Sequence, residues 1–235
     1  MITIQKCNLN VVVQGEGDGI VLLHGWGQNQ YMMKFIQDAL CSKYKVINID
    51  LPGFGKSSEP PCIWNIQAYA DMIHEVLVYY HVKKVSIIAH SFGARIALRY
   101  ALTYRVDKMI LSGAAGIKAK RGLSYYTRVM IYKGCKKCHI NVNMGSEDYQ
   151  KASPIMRGVL VASVQDDIRS ELKNIPCEVL LVWGEYDKQT PLWMGKIMER
   201  EIPKATLIVL PKEDHFAYFH CSLQFKGIVE AFLYG

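Results

Sequence analysis

The chain has 235 residues, a length that suits one large α/β domain or two small ones. Half of them are hydrophobic and 21% are charged, the ordinary balance of a globular protein, and no apolar run approaches the ~20 residues of a membrane span. The net charge of +7 comes from a local excess of lysine and arginine, and the seven scattered cysteines do not read as a disulfide framework.

The first fourteen residues alternate like a strand and carry no basic-then-apolar leader, so a cytoplasmic location is expected. Residues 2–7 and 9–14 read as a hairpin-like pair of strands. Residues 20–23 and 46–49 are short continuous apolar runs, the pattern of parallel strands covered on both faces. A helix over 31–41 lies between them. Next come a helix over 66–80, a strand over 85–89 and a helix from 92. Strands over 108–111, 179–183 and 207–210 follow, with helices over 192–200 and 222–232. This recurring strand–helix order predicts an α/β chain with a mostly parallel, doubly wound sheet. Gly93, Ala97 and Ala101 form a small-residue stripe that lets the helix from 92 lie close to the sheet.

Residues 114–174 break the alternation. With helix-like pieces over 124–132 and 154–164, and Pro154 suited to a first helical position, the segment reads as a short helical cap inserted after the sixth strand. The core is then 1–113 and 175–235. Between Lys118 and Lys151 stand eight lysines and arginines against Glu147 and Asp148. Such a segment suits either an acidic partner or a solvated surface.

The chemistry concentrates at strand ends. Ala89-His90-Ser91-Phe92-Gly93 joins a predicted strand to a predicted helix. A serine at so sharp a turn is exposed above the sheet edge, and the turn needs small residues two before and two after it. Gly is usual at the first of these, so Ala89 is a mild departure. A serine hydroxyl needs a base within hydrogen-bond reach and an acid to orient that base, in the chain order Ser, Asp or Glu, His. Asp187 follows the strand over 179–183, and His215 follows the one over 207–210. Glu185, Asp214, His90 and His220 compete for these roles. Asp214 adjoins the base and points elsewhere, His90 is expected to face away from the serine, and His220 to lie in the last helix. His24-Gly25-Trp26-Gly27 opens a loop at another strand end, where the Trp26 N–H can pair with the Phe92 N–H as an oxyanion hole. The His24 side chain suits ordering that loop rather than proton transfer. Asp50-Leu51-Pro52-Gly53-Phe54-Gly55-Lys56-Ser57 lacks phosphate-loop spacing and reads as a tight turn bordering the site, with Asp50 ordering nearby backbone. Cys135-Lys136-Lys137-Cys138-His139 has the spacing of c-type haem attachment, which requires export. Zinc needs four ligands and three cluster here. No metal and no cofactor are expected.

Taken together, His-Gly-Trp-Gly, Asp-Leu-Pro-Gly-Phe-Gly-Lys-Ser, Ala-His-Ser-Phe-Gly, the Trp-Gly-x-x-Asp loop and the late Asp-His-Phe resemble the α/β-hydrolase superfamily. The N-terminal half also resembles the small carboxylesterases that include pimeloyl-carrier-protein methyl ester esterase. The resemblance implies Ser91 as nucleophile, Asp187 as acid, His215 as base, and Trp26 with Phe92 as oxyanion donors. The expected function is hydrolysis of small carboxylic esters through an acyl-enzyme. Trp26, Phe92, Tyr125, Tyr126, Met130 and Met156 are expected to line an acyl pocket, packing onto the core being the plain alternative. Other readings are a carrier-protein methyl ester esterase that docks an acidic acyl carrier protein, a carbon–carbon bond hydrolase, and a ligand-binding receptor of little turnover. No nucleic-acid partner is expected.

Overall fold

The computed structural model describes residues 1–118 and 146–235. The expected helix over 124–132, Tyr125, Tyr126, Met130, the Cys135–His139 motif and most of the basic segment lie outside the described residues. In chain order the elements are β1 (Ile2–Ile4), β2 (Cys7–Leu9), β3 (Val11–Gln14), β4 (Gly19–Leu23), α1 (Lys34–Leu40), β5 (Lys45–Ile49), α2 (Ile66–Tyr79), β6 (Val85–His90), α3 (Phe92–Thr103) and β7 (Lys108–Ser112). Then come α4 (Glu147–Lys151), α5 (Pro154–Gln165), β8 (Glu178–Gly184), α6 (Leu192–Glu201), β9 (Ala205–Leu210), α7 (Ala217–His220) and α8 (Ser222–Tyr234).

The N-terminus differs from the expected strand pair. β1 and β2 form a separate tight hairpin, with Ile4 opposite Cys7. Its turn is Gln5–Lys6, with φ of 48° and 64°. Two consecutive residues at positive φ match the right-handed twist of the flanking strands, which is why a two-residue loop closes here. The chain then crosses to the main sheet as β3. Seven strands rather than six therefore precede the 114–174 segment. Residues 30–33 form a 3₁₀ turn capped by Asn29, so α1 begins later than expected.

The main sheet has the order β3-β5-β4-β6-β7-β8-β9. Only β3 runs antiparallel to its neighbour; the other pairs are parallel. Alternate residues of the central strands feed two buried layers. Val21, Leu23, Ile87, Ala89, Met109, Leu111, Leu181 and Trp183 share one layer with residues of α2, α3 and α6. Ile20, Leu22, Ile88, Ile110, Leu180 and Val182 share the other with residues of α1 and α8. Covering on both faces is why these strands are apolar at every position rather than at every second one. Among the described residues no helix is long and apolar enough to cross a membrane.

Strand order reverses beside β4: β5 lies on one side and β6 on the other. In open parallel sheets the crevice at such a reversal, beyond the carboxyl ends of the strands, is where ligands bind. Gly93 sets how closely α3 approaches it. The Gly93 N–H donates to His24 O at 3.1 Å, and a Cβ at Gly93 would stand 2.5 Å from Leu23 O. Alanine at this helical position gains about 1 kcal/mol of propensity, but the clash is with backbone that cannot yield cheaply. Gly93→Ala is therefore expected to destabilise the fold by about 1–3 kcal/mol, read as a lower urea midpoint at unchanged slope.

Candidate active site

Ser91 stands between the last residue of β6 and the first of α3, with φ 49° and ψ −106°. A non-glycine residue in that region is strained, and the surroundings must hold it there. Three main-chain bonds do so. Ser91 N–H donates to Ser112 O at 3.0 Å, and Ser91 O accepts from Arg95 N–H and Ala115 N–H, each at 3.2 Å.

The turn aims the hydroxyl at a histidine from the far end of the chain. Ser91 Oγ lies 2.9 Å from His215 Nε2, and His215 Nδ1 lies 2.7 Å from Asp187 Oδ2. A carboxylate only accepts, so Nδ1 carries the proton and donates to it, leaving Nε2 free to accept from the serine. Both partners are sheltered, His215 being 5% and Asp187 4% exposed. Asp187 is fixed from its other side: Oδ1 accepts from Gln189 N–H at 2.8 Å and Thr190 N–H at 2.9 Å.

Two residues in this cluster escape a reading of the sequence. Thr190 Oγ1 lies 2.8 Å from Asp187 Oδ2, 3.0 Å from Gly113 O and 3.2 Å from His215 Nδ1. Its single proton serves one oxygen at a time, so it braces the pair without adding charge. The available signal was a Thr three residues after an Asp, the spacing of a side chain capping its own turn. Gly113 has φ 50°, and a Cβ there would stand 3.1 Å from His215 Nδ1 and 3.2 Å from Asp187 Oδ2. Only its small size leaves room for the pair.

The competing acids and bases are occupied elsewhere. Glu185 accepts from Lys212 N–H at 2.9 Å, and Asp214 Oδ1 from Phe216 N–H at 2.8 Å. His220 closes the short α7 instead of lying in the last helix, and meets Glu213 and Asp214 near the surface. His90 turns from the serine hydroxyl: Nδ1 bonds Ser112 O at 3.1 Å, while the ring packs 4.6 Å from that of His215.

Trp26 follows β4 and Phe92 follows β6, the two adjacent strands at the reversal. Their rings meet edge to face at 5.2 Å, and Phe54 joins both at 4.9 and 6.0 Å. Among the described residues neither the Trp26 nor the Phe92 main-chain N–H donates to a protein acceptor. Met156, in α5, is buried against Gly53, next to Phe54. Beneath the Trp26 loop, Asp50 accepts from Gln30 N–H, Lys56 N–H and Asn10 Nδ2 at 2.7–2.9 Å. His24 ties the same loops: Nδ1–H donates to Gly25 O at 2.7 Å, and Nε2 accepts from Leu51 N–H at 3.0 Å. Among the described residues no group of three or more His, Cys, Asp or Glu is placed to hold a metal ion.

A family model described as alpha/beta hydrolase fold matches residues 19–130, and one described as TAP-like protein matches residues 158–234. The chain has the α/β-hydrolase fold and resembles that superfamily. It is 25% identical to the AB hydrolase superfamily protein YisY of Bacillus subtilis, over 93% of this chain and 92% of that one. It is 24% identical to a pimeloyl-[acyl-carrier protein] methyl ester esterase of Nitrosomonas europaea, over 95% of this chain and 99% of the relative. Its fold is similar to that of an esterase from Exiguobacterium antarcticum, with a TM-score of 0.81 and 22% identity over 99% and 98% of the two chains.

Two buried imidazoles bear on stability. Burial lowers His24 from 6.5 to about 4, against the smaller pull of Gly25 O and Asp50. Burial, and then the neighbouring His215, hold His90 well below the usual range. In the unfolded chain each takes a proton near pH 6.5. Between pH 6.5 and about 4 the unfolded chain therefore binds more protons than the folded one. Stability is full above this window and is lost as pH falls through it, by about 3 kcal/mol for His24 alone. Thermal melts across the window are expected to show a steep fall in Tm, and a shallower one in His24→Gln. An unchanged slope in that variant would refute the linkage.

Proposed function

We propose that the protein is a serine esterase that cleaves carboxylic esters through an acyl-enzyme, with no cofactor. The observation that carries this reading is the Ser91–His215–Asp187 relay, at 2.9 and 2.7 Å, built on a strained turn. Ser91 Oγ attacks the acyl carbon as His215 Nε2 takes its proton. Asp187 holds the imidazole in the tautomer that can accept, and stabilises the imidazolium that forms. The Trp26 and Phe92 N–H groups receive the oxyanion, a contribution on the order of 3 kcal/mol to the transition state. His215 then protonates the leaving alcohol, and water clears the acyl-enzyme by the same route. Residues 114–174 act as a cap over a core of 1–113 and 175–235. Trp26, Phe92 and Met156 border the acyl group. The protein works in the cytoplasm.

Short-chain p-nitrophenyl esters are expected to turn over, and a fluorophosphonate to label the protein. Ser91→Ala should abolish labelling and lower kcat by on the order of 10⁴ or more. Labelling that survives this substitution would remove Ser91 from its role. Labelling without turnover would favour a ligand-binding receptor, and turnover of diketones in place of esters a carbon–carbon bond hydrolase.

A second reading narrows the substrate to an ester on an acyl carrier protein. The eight lysines and arginines between Lys118 and Lys151 supply the charge that an acidic carrier requires. Relatives named for that activity span nearly the whole chain. Joint reversal of Lys133, Lys136 and Lys137 to Glu is expected to weaken kcat/KM for a carrier-bound ester by about tenfold or more while sparing a small ester. Equal loss on both substrates, or loss on neither, would sink carrier docking.

A further inference from the structure

Behind the relay, on the side of α3 and the Asp187 loop, lies a cavity of about 150 Å³ that the mechanism does not use. Arg95, Ala115, Ile117, Val164, Thr190 and Met194 line it, and the exposed Lys118 and Gln189 stand at its rim. Arg95 is 8% exposed, an unusual burial for a cation. Burial of a guanidinium normally demands a carboxylate partner. Among the described residues none lies within ion-pair distance. The nearby Asp166 carboxylate bonds Arg99 through Oδ1 at 2.7 Å, while its buried Oδ2 has no hydrogen-bond partner among the described residues and offsets part of the Arg95 charge from beyond ion-pair distance. Asp167 is exposed and accepts from Arg169 N–H at 3.2 Å. Arg95 itself donates through Nη1 to the main-chain oxygen of Asp166. Of the five N–H donors of a guanidinium, the remainder have no acceptor among the described residues.

The rest of the wall has a different chemistry. Ile117, Val164 and Met194 are apolar and surround the same space. A positive end and an apolar wall in one cavity match an amphipathic anion. The pocket opens to solvent past Lys118 and Gln189, and a volume near 150 Å³ admits a ligand of roughly six heavy atoms. We propose that this cavity binds a short-chain aliphatic carboxylate, its head on the Arg95 guanidinium and its chain against Ile117, Val164 and Met194. The site adjoins the relay on two sides: Ala115 N–H donates to Ser91 O, and Thr190 Oγ1 contacts both Asp187 and His215. Such a carboxylate has two sources, the acid part of the protein's own substrate or product, or a separate small effector.

Butyrate is the probe, with butyramide as its uncharged match, at constant ionic strength. In calorimetry and thermal melts butyrate is expected to bind saturably and raise Tm, with butyramide about tenfold weaker or worse, the usual margin for a charge-assisted pair. Arg95→Gln is expected to lose butyrate binding by about tenfold or more. Val164→Phe fills the cavity from α5 without touching Arg95's main-chain bond, and is expected to lose it as well. The second variant keeps the test decisive if the first does not fold. Equal binding of butyrate and butyramide, or full binding retained in Val164→Phe, would overturn the proposal. So would butyrate that competes with p-nitrophenyl acetate and keeps its affinity in Arg95→Gln, since it would then occupy only the Ser91 site. Where both variants lose binding, competition with the ester assigns the carboxylate to substrate or product, and non-competitive inhibition to a separate effector. The binding arms can be run on Ser91→Ala protein, so their outcome is independent of the esterase reading.

Discussion

With no side chain at Gly93, the first turn of α3 rests directly on the carbonyls of Leu23, which ends β4, and His24, which follows it, and the Gly93 N–H bonds to the second. This contact ties the loop after β4 to the turn after β6. The two strands are adjacent at the point where sheet order reverses, so their loops diverge and leave a crevice between them. Trp26 and Phe92 therefore stand side by side, their rings 5.2 Å apart, without any long loop to position them. The serine inherits its strained backbone from the same constraint. A helix that starts so close to the sheet leaves one residue in which to turn the chain.

Around this contact the sheet edge is held by polar groups that stay neutral or are saturated by main chain. His24 uses both ring nitrogens on backbone partners, and Asp50 gathers three donors from three segments. His90 bonds one carbonyl and presents its ring face to His215, with Nε2 buried and without a partner among the described residues. A neutral imidazole here fills space against His215 without adding a positive charge beside it.

Much of this was legible in the sequence because each chemical group stands at the end of an apolar strand. Short buried strands announce themselves by composition, and the residue after each one is at the sheet edge. That logic finds Ser91, Asp187 and His215 from their order alone. It fails where geometry depends on a neighbour distant in the chain. Nothing near Gly113 reveals that its hydrogen faces an imidazole one hundred residues later, and Arg95 looks like any helical arginine until the loop after α5 closes over it. The Gln5–Lys6 turn carries no sequence signal, because neither residue is a usual carrier of positive φ. The helices between 146 and 174 are the hardest to read, since a helical segment outside the sheet has no strand to set its register.

Trp183 is wholly buried in the central layer of the sheet, and its indole N–H donates to Thr190 O at 2.6 Å. One side chain is thus both a filler of the interior and the peg on which the Asp187 loop hangs. Interior and chemistry cannot drift apart at this position. A packing change that tilts the ring shifts Thr190, and with it the brace on the carboxylate. The protein's tolerance for altered core residues should accordingly be narrower beneath β8 than beneath β3, which lies at the far edge of the sheet.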